Sequence, residues 1–237
     1  MKIPRTVPVG LLLSLPIFGI ILLPKHSAAL AGQSLFLKGM LAYGLLGLTT
    51  AGAMACFGEG RWRDFGFLRA AGSWWTFVVY ALALGAVCTF ALKVSPGKGM
   101  EGSLKGLKAS QVLLLVLVGS AGEEFFVRGW LQGFLHPMRA RMMKLGRVAV
   151  SVPVLTGALA FGAMHLPAAI ALDAWTVGFL LVFTTSLGLL AGLIRERTGS
   201  LLPAIAVHLA GNAGGVIGSL IYLAIQGVRG GQESHLG

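Results

Sequence analysis

Apolar residues run along this chain in stretches of about twenty, interrupted by short clusters of charged, glycine and proline positions. Cutting at those clusters leaves seven apolar segments: Val7 to Leu23, Gly39 to Phe57, Ser73 to Leu92, Ala109 to Leu135, Val152 to Ile170, Ala174 to Ile194 and Ser200 to Ile225. About twenty residues of α-helix cross the hydrocarbon layer of a bilayer, so the pattern predicts an all-α, polytopic transmembrane bundle of about seven spans. The first segment is about 25 Å long as a helix. A basic start precedes it and "HSAALAG" follows, as in a signal peptide, but we read it as a retained span. No internal repeat divides the chain into related halves, so residues 1–237 are expected to form a single integral membrane domain.

The connectors and the composition sharpen this picture. Hydrophobic residues make up 56% of the 237 residues, charged residues 11%, and the mean hydropathy is +0.82, outside the range of a soluble domain. The net charge of +11 would suggest nucleic acid in a soluble chain. Here the basic residues sit between apolar runs, where the positive-inside rule expects them, and no nucleic-acid partner is expected. A cytoplasmic amino terminus puts Lys2, Arg5, Arg61, Arg63, Arg69, Arg128, Arg139, Arg141, Lys144, Arg147, Arg195 and Arg197 on or toward one side. The connector "KVSPGKGMEGSLKGLK" then lies outside. "GEGRWRDFGFLR", with Trp62, Phe65 and Phe67 among arginines, reads as a short interfacial helix or loop. Cys56 and Cys88 lie in separate apolar runs and read as small buried hydrophobes rather than a disulfide or metal site.

Against this background the stretch "GSAGEEFFVRGWLQGFLH" stands out, because it holds two of the chain's eight acidic residues inside an apolar run. Ionisable groups at membrane depth are costly and are functional candidates by default. Besides Arg128 there are four: Glu123, Glu124, His165 in "AFGAMHLP" and His208 in "AIAVHLAGNAGG", with Asn212 one turn beyond. At about 1.5 Å per residue from one end of each span, Glu123 lies about 18 Å deep, His165 about 20 Å, His208 about 12 Å and Asn212 about 18 Å. Three helices thus bring polar groups into one layer.

Spacing suggests a division of roles. Glu124 and Arg128 are four apart, share a helix face and can form an ion pair. Glu123 projects about 100° away and is free of that partner, which suits a general base. His208 and Asn212, also four apart, can offer two donors to one point, as an oxyanion site requires. Each also has a purely structural reading: a clamp for Glu124 with Arg128, and interhelical hydrogen bonds for His165, His208 and Asn212. His26, His136 and His235 fall in connectors or the tail and are expected to be solvated. Gly129/Gly133, Gly188/Gly192 and Gly211/Gly215 have the small-xxx-small spacing of close helix packing.

The same residues carry a family resemblance. "EEFFVR" resembles the EExxxR motif, "FGAMH" the FxxxH motif and "HLAGN" the HxxxN motif of the CPBP family, the CAAX-protease and bacteriocin-processing intramembrane endopeptidases that include the Ras-converting enzymes. The three occur in order and cover about residues 119–215. The resemblance implies a glutamate-based intramembrane protease. In it Glu123 and His165 activate a water, His208 and Asn212 bind the oxyanion, and Glu124 and Arg128 support the first glutamate. It implies as substrate a lipidated or membrane-anchored protein cut near its carboxy terminus, with a sorting-tail, myxosortase-like member among the possibilities. It further implies a multi-pass protein of a bacterial cytoplasmic membrane. The family has also been described as metal-dependent. No HExxH is present and Asn is a poor zinc ligand, so no cofactor is expected, zinc included. The competing class is a non-enzymatic membrane protein, either a proton-relay transporter or a bacteriocin immunity partner.

Overall fold

The computed structural model describes residues 6–20, 22–97, 106–146, 148–167 and 172–233. The elements in chain order are α1 (Thr6–Ile20), a short α2 (Leu23–His26), α3 (Leu35–Phe57), α4 (Trp75–Val94) and α5 (Ala109–Glu124). A π-helical segment (Phe125–Leu131) carries α5 into α6 (Gln132–Leu135), and a hairpin of β1 (Met142–Leu145) and β2 (Val148–Ser151) follows. The chain then forms α7 (Val152–Ala163), α8 (Ala174–Thr198) and α9 (Leu201–Glu233). Among the described residues five helical runs are long and apolar enough to cross a bilayer: α3, α4, the continuous run from α5 through α6, α8 and α9. The protein is an all-α polytopic bundle.

Helix ends follow local chemistry. The Ser34 hydroxyl accepts from the Leu37 N–H at the start of α3, that of Ser151 from Val154 at α7, and the Asp173 carboxylate from Thr176 at α8. The last helix of these ends on Gly199, in the left-handed conformation at φ 71°, with Arg195 and Arg197 in its final turn.

Two of the seven expected spans are short. α1 has 15 residues, and α7 has 12 where the apolar run continued to Ile170. Pro167 explains the second case: its ring removes a backbone donor and crowds the preceding turn, so the helix stops at Ala163, about 18 Å from its start. His165 therefore lies in the turn after the helix, its backbone N–H donating to the Gly162 carbonyl. The hairpin, absent from the sequence reading, pairs Met142 with Ser151 and Leu145 with Val148.

The helices approach closely where side chains are small. A Cβ on Gly85 of α4 would collide with the Gly211 carbonyl of α9, and one on Gly214 of α9 with the Leu82 carbonyl of α4. This is the contact the Gly211/Gly215 spacing predicts. Gly188 and Gly192 likewise seat α8 against Ala158 and Val154 of α7.

One end of the bundle is tied together by the loop after α3. The Ala71 N–H donates to the Thr198 carbonyl, the Leu201 N–H to Gly66, and Arg195 to the Asp64 carbonyl. Ser151 at the end of the hairpin donates to Glu196 at 2.6 Å. Several side-chain expectations change here. Phe65 is fully buried, its ring 5.3 Å from the Phe134 ring and tilted against it, while Trp62 and Phe67 stay exposed. His136 is not freely solvated: its Nδ1 lies 3.0 Å from Asp64, and Arg139 contacts its Nε2 at 2.8 Å. Cys56 is exposed and Cys88 partly so, both free thiols. His235 and residues 98–105 of the lysine-rich connector lie outside the described residues.

Candidate active site

Glu123 and Glu124 end α5, and the backbone widens into the π-helical segment immediately after them. Such a widening re-aims side chains and recurs at functional sites. Arg128, within that segment, keeps its expected partner. Its guanidinium and Glu124 are both fully buried, with Nη1 donating to Oε1 at 2.9 Å. It is thus inside the bundle. Its Nη2 donates to the Gly188 carbonyl at 2.9 Å, and Gln132, one turn on, donates to the Gly192 carbonyl at 3.1 Å. Two side chains four apart on one helix thus grip two carbonyls four apart on α8. Glycine at both positions leaves those carbonyls reachable.

Glu124 does more than pair with arginine. The same Oε1 lies 2.9 Å from His208 Nδ1 of α9. A carboxylate only accepts, so Nδ1 carries the hydrogen and Nε2 is the acceptor of the neutral ring. That Nε2 lies 3.9 Å from Oε2 of Glu123. Glu123 itself is 9% exposed, against zero for Glu124. Asn212 donates from Nδ2 to the Ser120 hydroxyl on α5 at 3.1 Å. His165 places Nδ1 2.9 Å from the Phe161 carbonyl, which again fixes the hydrogen there and frees Nε2.

Phe161 organises the cluster from beneath. Its ring meets those of His165 and His208 edge to face, each at 5.2 Å, and the Arg128 guanidinium lies over it at 4.6 Å. Sequence reasoning noted this residue only as a motif letter. It also missed Ser120, which accepts from Asn212, and Tyr43, which lines one cavity with Glu123. A tyrosine on an apolar helix carries no spacing signal to a distant cavity.

Glu123, His165, His208 and Asn212 all line one cavity of about 420 Å³, bounded by the first turns of α3 and α5. His165, His208 and Asn212 also line a second cavity of about 300 Å³ between α4, α8 and α9, walled by Leu92, Phe179 and Phe183. Glu124 and Arg128 line neither, being behind the wall. Among the described residues no group of three or more His, Cys, Asp or Glu side chains is arranged to hold a metal ion.

Residues 105–214 match the family model described as Rce1-like, type II CAAX prenyl endopeptidase. Over that stretch, a little under half of the chain, the sequence is similar to the CAAX-protease family. The matched segment contains every motif residue named above, from Glu123 to Asn212, and excludes α1, α3 and α4. That similarity supports a CAAX-type intramembrane endopeptidase, a class of hydrolase that acts on membrane-anchored substrates. No curated protein and no solved structure matches the chain. A CAAX protease needs an activated water and a cradle for the charge that develops on the peptide carbonyl. The cavity walls present a carboxylate, two imidazole nitrogens and an amide.

Proposed function

We propose that the protein hydrolyses a peptide bond near the carboxy terminus of a lipidated or membrane-anchored protein, using Glu123 as the base. The observation that carries this reading is the unequal treatment of two adjacent carboxylates. Glu124 is fully buried and held by Arg128 and His208, whereas Glu123 faces the cavity shared with His165, His208 and Asn212. Glu123, assisted by Nε2 of His165, takes a proton from a water whose oxygen attacks the peptide carbonyl carbon. The carbonyl oxygen becomes an oxyanion, facing Asn212 and His208. Collapse breaks the C–N bond, and the proton returns from Glu123 to the departing amine.

Glu124 fixes the tautomer of His208, so the ring donates from Nε2 only when doubly protonated. Its charge then lies between the two glutamates. Arg128 and Glu124 are supporting groups in this scheme. The donor set also argues for a mechanism without a resident metal. The cavity donors include the Asn212 amide, a poor zinc ligand. A depth near mid-bilayer suits substrates delivered by a lipid or a terminal membrane helix, a sorting tail included.

The test compares wild type with Glu123→Gln in host membranes. Mass spectrometry reads the carboxy termini of membrane-anchored and lipidated proteins, with and without a zinc chelator. Trimmed termini that revert to full length in the variant, unaffected by chelator, are the expected result. Unchanged termini despite correct insertion would remove Glu123 from the chemistry and favour a proton relay or partner-binding role. Loss of trimming on chelation would restore a metal to the mechanism.

A further inference from the structure

A polar cavity of about 490 Å³ lies at the end of the bundle that holds the hairpin, and it shares no wall residue with the cavity around Glu123. Three arginines line it: Arg63 from the loop after α3, Arg139 from the turn after α6, and Arg195 from the last turn of α8. Two carboxylates line it as well, but both are already engaged within the protein. Asp64 lies 3.0 Å from His136 Nδ1 and 3.7 Å from Arg61, and Glu196 accepts from Ser151 at 2.6 Å. Arg139 donates to His136 Nε2 at 2.8 Å, so that ring keeps its hydrogen on Nδ1 and is neutral. Three positive charges thus face two negative ones. The guanidinium of Arg195, a residue 4% exposed, donates to the Asp64 carbonyl, yet its Nε is buried without a partner. Gln132, 3% exposed and in the same wall, has no partner for its Oε1. Buried polar atoms of this kind are costly unless something completes them.

The rim shows the depth at which this cavity sits. Trp62, Phe67 and Leu68 are exposed on the loop that carries Arg63, and aromatic side chains among arginines mark the headgroup level of a bilayer. We propose that the cavity binds the phosphate of an anionic lipid headgroup, gripped by Arg63, Arg139 and Arg195, with the Gln132 carbonyl oxygen accepting from a headgroup hydroxyl. Arginine suits this ligand because its planar fork reaches two phosphate oxygens at once, and basic pockets between membrane helices are where such headgroups lodge. The position gives the bound lipid a structural consequence. Gln132 and Arg195 belong to the two helical runs that Arg128 and Gln132 already fasten through the Gly188 and Gly192 carbonyls. A headgroup spanning them closes that joint at its outer end, behind Glu124. The site is independent of which carboxylate acts as base.

The experiment uses the full chain in mixed micelles of detergent and phosphatidylcholine. Phosphatidylglycerol is titrated in, native mass spectrometry counts the bound lipid, and the melting temperature is followed in parallel. Wild type should take up phosphatidylglycerol in preference to phosphatidylcholine and melt higher as it binds. Arg63→Gln/Arg139→Gln should bind it about thirtyfold more weakly, the loss expected of two arginines at a charged lipid surface. Arg63→Gln alone removes one exposed charge, leaves the His136 bond in place, and should lose about fivefold even if the double variant fails to fold. Arg69→Gln removes an exposed charge from the same loop outside the cavity and should bind as wild type does. Inorganic phosphate should not reproduce the rise in melting temperature. Equal affinity in wild type and Arg63→Gln overturns the proposal. An equal loss in Arg69→Gln does so too, because it reduces the effect to surface charge. Full stabilisation by inorganic phosphate alone overturns the assignment to a lipid.

Discussion

A single oxygen of Glu124 accepts from both Arg128 and His208, so three residues of two helices depend on one buried charge. Removing one member of a buried ion pair leaves the other uncompensated, which costs about 3–5 kcal/mol. Arg128→Met should therefore destabilise the protein by about that amount, measured by unfolding in mixed micelles, and abolish cleavage with it. The cavity-facing residues should behave differently. Asn212→Ala removes a side chain whose hydrogen bond is to Ser120 and whose amide faces the site. It should lower kcat by about 10² to 10³ while leaving the melting temperature close to wild type. A loss of stability with normal kcat in the folded fraction would assign Asn212 to interhelical bonding alone. The ion pair was readable from its i, i+4 spacing. The second bond of Glu124 to a residue 84 positions away was not, because no local pattern records which helices meet.

The helices hold this cluster through backbone proximity more than through side-chain volume. Gly188 is the clearest case. A Cβ there would lie 3.0 Å from Ala158 of α7 and 3.2 Å from the Arg128 guanidinium that its carbonyl receives. Gly188→Val should part α7 from α8, lower the melting temperature by the equivalent of about 1–3 kcal/mol or more, and abolish cleavage. Gly178→Ala, on the same helix with nothing within 4 Å, should be neutral on both counts. Equal effects of the two substitutions would mean that glycine acts here through helix propensity and not through contact. At this scale the apolar runs located the long helices of the bundle but not the short α2, and the run predicted from Ala109 to Leu135 coincides with α5 through α6. Hydrophobic length could not show the early end of α7. Pro167 sets that, and the turn it creates presents His165 to the cavity.

Viewed whole, the molecule has two unlike ends. The hairpin, the loop after α3 and the turn between α8 and α9 share one end, together with Arg63, Arg139, Arg195 and Glu196 around a polar cavity of about 490 Å³. The positive-inside rule assigns this end to the cytoplasm. In a background with Cys56 and Cys88 replaced, Met142→Cys at the exposed hairpin should resist a membrane-impermeant maleimide in intact host cells and react after lysis. Gln33→Cys, in the exposed segment before α3, should react in intact cells. The reverse pattern would invert the bundle and place the mouth of the Glu123 cavity, near the first turns of α3 and α5, on the cytoplasmic side.

Composition and periodicity alone determined that the chain is a membrane bundle and where its helices lie, because burial in lipid demands long apolar runs whatever the fold. Spacing alone also paired Glu124 with Arg128, since that contact is made within one turn. Only the tertiary structure joined Glu124 to His208, set Phe161 against three charged or titratable groups, and drew four distant residues around one cavity. Those contacts depend on which helices pack together and at what rotation. That is settled by the fit of small residues against backbone along whole helices, and no short stretch of sequence records it.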